Sequence, residues 1–81
     1  MQPTVGRIVL YLPTATEAAV HEMGRGVRPA IITEVREDSV SLHVLWGDTS
    51  GHGGGVTIGV ARQSVQPTSG CWHWPPRAPG S

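Results

Sequence analysis

The chain has 81 residues, room for one small domain. Six arginines and no lysine stand against six acidic residues, so the formal charge is zero. This argues against the basic surface by which non-specific nucleic-acid binders neutralise phosphates, and against a polybasic membrane anchor. No apolar run reaches the ~20 residues of a spanning helix, and MQPTVGRIVLYLP lacks the apolar core and cleavage site of a secretory leader, so the cytoplasm is the expected compartment.

Strand signals dominate the chain order. Residues 6–12 (GRIVLYL) alternate Ile8, Leu10 and Leu12 against Arg7, Val9 and Tyr11, and Pro13 closes the run. Residues 14–23 (TATEAAVHEM) read either as a short helix, capped by Thr14 or Thr16 with Glu17 in its first turn and Gly24 as its stop, or as a surface loop. Residues 28–37 (RPAIITEVRE) form a second strand with two faces, Ile31, Thr33 and Val35 on one and Ala30, Ile32, Glu34 and Arg36 on the other. Residues 39–46 (SVSLHVLW) are the clearest strand: Val40, Leu42, Val44 and Trp46 point one way, Ser39, Ser41 and His43 the other.

Residues 47–55 (GDTSGHGGG) read as a glycine-rich loop. Residues 56–62 (VTIGVAR) read as a fourth strand with Val56, Ile58 and Val60 inward, and Ser64-Val65 as a possible extension. Residues 71–74 (CWHW) form a last short strand ended by Pro75-Pro76. Four or five short strands with one short helix at most define an all-β chain, a small antiparallel barrel or curled sheet of SH3-like or OB-like type. Residues 1–76 are expected to form this single domain and residues 77–81 a loose tail. So small a core favours self-association, and a homo-oligomer is expected.

The chemistry concentrates near the C-terminus. In an extended strand Trp72 and Trp74 share a face and His73 takes the other. Two indoles with Arg77 nearby suit a planar anionic ligand, a base stacking on the ring and the guanidinium forking a phosphate. Equally, one indole closes the barrel and the other packs on a neighbouring subunit. Arg28 and Arg62 are further phosphate candidates, His73 and Tyr11 are candidates for a sugar, and Trp46 completes the set. Arg7 and Arg36 join Arg28 and Arg62 on or beside strands, lining a shared cleft or facing solvent.

The glycine loop has no GxxxxGK[ST] pattern and no helix after it, which excludes a P-loop. His21, His43, His52, His73 and the single Cys71 show no paired ligand spacing, so no metal and no cofactor are expected. One cysteine also forbids an internal disulfide, as in a reducing cytosol. Ser64, His43 and Asp48 supply the residue types of a hydrolase without the spacing of any signature, and no enzyme is expected.

Three segments carry a family resemblance: Pro3-Thr4-Val5-Gly6-Arg7-Ile8-Val9, Arg28-Pro29-Ala30-Ile31-Ile32, and Trp72-His73-Trp74-Pro75, supported by Arg62-Gln63-Ser64-Val65 and Gly70-Cys71-Trp72. The chain resembles small proteins of bacteriophages and actinobacterial genomes that open with PTVGRIVxY and end with GxWHWP. The resemblance implies a phage or prophage setting and no particular activity. With the aromatic and arginine content it points to a non-enzymatic phage protein of the host cytoplasm. Its expected action is to sequester a nucleotide-like host immune signal, of cyclic-nucleotide or ADP-ribose type, as a homo-oligomer. A virion structural or assembly component, or an inhibitor of a host protein, is the alternative.

Overall fold

The computed structural model describes residues 2–21, 26–47 and 53–76. The elements in order are β1 (Ile8–Tyr11), α1 (Ala15–His21), β2 (Arg28–Val35), β3 (Val40–Gly47), β4 (Gly53–Gln63) and β5 (Cys71–His73). They form a closed barrel in the order β1-β2-β3-β4-β5, with β5 returning to β1. All pairs are antiparallel except β4 with β5. An odd number of strands cannot alternate all the way around a ring, so at least one pair must run parallel. Every sequential neighbour is a spatial neighbour, which is a meander and not the Greek-key order of an OB barrel. The small all-β barrel with one short helix expected from the sequence is present, as a closed ring of mixed rather than wholly antiparallel pairing. The ring is closed by short ladders: β5 meets β4 at Arg62↔Cys71 and Gln63↔Trp72, and β1 at Leu10↔His73 and Tyr11↔Trp72.

The interior is filled by alternate residues. Val9 and Tyr11 come from β1, Ala30 and Ile32 from β2, Val40, Leu42 and Val44 from β3, Ala61 from β4 and Trp72 from β5. Ala18 of α1 joins them. The β3 alternation expected from the sequence holds throughout, with Trp46 half-buried at its end.

β4 departs from its expected pattern. Val56 and Ile58 pack inward, but Val60 is 64% exposed. The register runs Leu42↔Ile58 and then Val40↔Ala61, so Gly59 and Val60 together oppose Ser41. This bulge turns Val60 outward and gives its inward place to Ala61. Strand β4 ends at Gln63, so Ser64 and Val65 do not extend it.

Arg36 holds the bulge. Its Nη2 donates to the Gly59 carbonyl at 2.6 Å and its Nη1 to Ser41 Oγ at 3.0 Å, while Ser41 Oγ donates to the same carbonyl at 2.7 Å. Its Nε donates to Ser39 Oγ at 3.1 Å, and Nη1 also pairs with Glu34 at 2.8 Å. Arg36 is therefore engaged by its own barrel. Arg36→Ala is expected to cost about 1–2 kcal/mol in urea unfolding, and Arg36→Lys to recover little, because an ammonium cannot reproduce the fork.

The described part of the glycine stretch is ladder rather than loop. Gly47 ends β3, and Leu45↔Gly55, Trp46↔Gly54 and Gly47↔Gly53 are paired, while residues 48–52 lie outside the described residues. Glycine is required where rings lie across the ladder. A Cβ on Gly54 would stand 2.8 Å from Trp46 Cζ2, and one on Gly55 would stand 2.5 Å from His43 Nε2. Indole and imidazole cover backbone that has no side chain of its own.

The segment after β1 is a helix, and Thr14 is its cap. Thr14 Oγ1 accepts the Glu17 N–H at 3.1 Å, and the Thr14 N–H donates to Glu17 Oε1 at 2.9 Å, a reciprocal capping box. Seven residues are too few for a helix to stand alone. Buried Ala18 and the Tyr11 hydroxyl, which donates to Glu17 Oε1 at 2.7 Å, fasten it to the barrel. The helix is described as Ala15–His21, and the expected stop at Gly24 lies outside the described residues.

Candidate functional site

The WHWP segment begins inside the barrel and leaves it. Trp72 is 2% exposed and Trp74 is half-buried. Their ring centroids are 5.1 Å apart with planes at 85°. The two indoles thus touch, as alternation requires, but edge to face, so no parallel slot for a base opens between them. Trp72 is a core plug, and its Nε1 is buried without a hydrogen-bond partner. Tyr11 lies beside it in register, is 1% exposed and has its hydroxyl engaged by Glu17. Burial raises the Tyr11 pKa well above the usual tyrosine value, and the bond to the Glu17 carboxylate and its charge raise it further. Neither Trp72 nor Tyr11 presents a free ring face, which corrects the stacking and sugar-binding roles expected of them. Packing took those side chains because both sit on inward positions of a narrow barrel.

Buried His73 and half-buried Trp74 are brought together along one groove. Leu10, Val27, Val65, Pro67, Trp74 and Pro76 wall a groove of about 490 Å³, within the usual size of small-ligand sites. His73 and Gln66 supply its polar groups. His73 is 7% exposed, and its Nδ1 has no hydrogen-bond partner among the described residues. The Arg7 guanidinium stands 5.6 Å from the Trp74 ring centroid, a cation–π contact that steadies the indole at the groove's rim.

The remaining candidates are placed elsewhere. Arg28 pairs in register with Tyr11, and its Nε is buried without a partner among the described residues. Arg62 is exposed on β4 opposite Cys71. Neither lines the groove. Trp46 packs on the core at the end of β3, its ring 6.4 Å from that of His21. Arg77 lies outside the described residues.

A smaller pocket of about 240 Å³ lies at the β2–β3 turn, with Gln2, Arg36, Asp38 and Gln63 around it and Trp72 in its wall. Ser64 and His43 have separate partners: Ser64 Oγ lies 2.7 Å from Thr68 Oγ1, and His43 Nδ1 lies 3.4 Å from Thr57 Oγ1. Asp48 lies outside the described residues. Among the described residues, no three His, Cys, Asp or Glu side chains gather in a way that could hold a metal, and no helix is long and apolar enough to cross a membrane.

The sequence reading places Arg7 in a shared cleft or in solvent, without its contact with Trp74. Its signal was present: it shares the inward parity of Val9 and Tyr11 one step beyond the strand, so it had to meet whatever closes that end. Leu10, Val27, Val65 and Pro67 had no signal, since the groove joins segments remote in sequence. Comparison with protein-family models, with curated proteins and with solved structures finds no match.

Proposed function

We propose that the chain is a non-enzymatic binding protein of phage type that captures a nucleotide-like small molecule, a cyclic-nucleotide or ADP-ribose type signal of the host cytoplasm. One observation carries this reading. A half-exposed indole, Trp74, borders a ligand-sized groove lined also by His73, whose buried Nδ1 has no hydrogen-bond partner among the described residues. The indole stacks the base, and His73 bonds to it. A homo-oligomer is part of the proposal, supported by apolar side chains left in water: Val5 is 67% and Ile8 59% exposed.

Calorimetric titration against cyclic mono- and dinucleotides and ADP-ribose derivatives tests it. Heat and a thermal shift with at least one compound are expected, and silence across the whole panel overturns the reading. Trp74→Ala is expected to weaken the bound compound by about 1–3 kcal/mol. A second reading, docking to a virion component or a host protein, is favoured by Val65, which is 99% exposed at the groove. A fixed number of copies per purified particle would identify the virion component, and a specific pull-down the host-protein inhibitor.

A further inference from the structure

We infer that the groove recognises the uncharged heterocyclic ring of its ligand and leaves any phosphate in water, so that its ligand class is set by a nucleobase-like edge. This rests on the capture reading above and narrows it. No charged residue lines the groove among the described residues. Arg28 and Arg62, the cations that would hold phosphate, are not in its walls, and Arg7 lies over Trp74. A phosphate drawn between Leu10, Val27, Val65 and Pro67 would lose water with no cation among the described lining residues to replace it, the Arg7 guanidinium lying over the Trp74 ring at the rim.

The polar groups that are present suit a neutral ring. Nδ1 of His73 is enclosed and unpartnered, and a neutral imidazole nitrogen either donates or accepts a single bond. Gln66 adds a carboxamide, which offers both a donor and an acceptor. A planar heterocycle carrying a donor and an acceptor on one edge can lie against Trp74 and bond to both. Because His73 Nδ1 is already desolvated, a ring lacking the matching atom leaves it unsatisfied, and such sites discriminate strongly.

The experiment compares four nucleosides with their 5′-monophosphates and with the cyclic dinucleotides of the panel, at low and high salt. At least one nucleoside is expected to bind within about twofold of its monophosphate, with no loss at high salt. If the phosphorylated forms bind at least about tenfold tighter and weaken with salt, the inference is overturned while capture stands. If nothing binds, the capture reading falls with it. Gln66→Ala, at an exposed residue whose loss does not threaten the fold, is expected to reduce affinity about tenfold for the preferred nucleoside. His73→Gln is expected to shift the order of preference among the four bases, with its melting curve recorded alongside. Wild-type affinity and preference in both variants would overturn the inference.

Discussion

Trp72→Ala is expected to cost about 3–5 kcal/mol, the largest loss of any single substitution considered for this fold. A chain of this length has roughly 4–12 kcal/mol to lose. The indole is 2% exposed and fills the barrel between Tyr11, its partner in register, and Trp74, which meets it edge on. The core that would have to close over the gap includes the small Ala30 and Ala61, which cannot refill that volume. Trp72→Phe should be much milder, because it keeps an aromatic plug and removes an N–H that has no partner. Trp74→Ala removes a ring that is only half-buried, so its cost in urea unfolding should be distinctly smaller than that of Trp72→Ala. This ordering separates the two indoles by role. Equal destabilisation by both alanine variants would make Trp74 as structural as Trp72 and would remove the surface on which capture depends.

The two tryptophans also mark how far the sequence could be read. Alternation correctly puts them on one side of the strand, but it does not set depth or ring angle. Those follow from where β5 docks between β1 and β4, which no local pattern encodes. β3 was legible because Val40, Leu42 and Val44 are separated by polar residues, so its period of two is unmistakable. β4 was legible only to Ile58. The bulge beyond it depends on Arg36 and Ser41 binding the Gly59 carbonyl from another strand. Glycines 53–55 read as loop because a residue without a side chain cannot show alternation, and the rings that cover Gly54 and Gly55 belong to β3. Of the candidate site, His73 and Trp74 were legible as aromatic chemistry in an extended strand. The groove beside them was not, because Leu10, Val27, Val65 and Pro76 converge only when the barrel closes.

Tyr11 and Glu17 make the pH dependence of this fold predictable. Tyr11 is the sole tyrosine, and the chain has no lysine. Apart from Cys71, no other side chain ordinarily titrates between about pH 8 and 12. The folded state raises the Tyr11 pKa, first by burial and then by the Glu17 bond and charge. Below the unfolded value of about 10, both states hold the proton, and stability is undiminished by this group. Above it the unfolded chain releases the proton while the fold retains it. The unfolded state is then favoured, and stability falls by about 1.4 kcal/mol per pH unit until the folded pKa is passed. Alkaline unfolding followed by circular dichroism should show this slope, with tyrosinate absorbance appearing together with loss of structure rather than before it. Tyr11→Phe should lose about 1.5–3 kcal/mol near neutrality, the usual worth of a bond to a charged acceptor, and should flatten the alkaline slope. Glu17→Ala should cost more, about 2–4 kcal/mol, because it strands the buried Tyr11 hydroxyl and removes the reciprocal cap of α1 in one step. If tyrosinate instead formed near pH 10 with the fold intact, the hydroxyl would not be held as the 2.7 Å contact requires. The coupling of barrel to helix through Glu17 would then have no energetic basis.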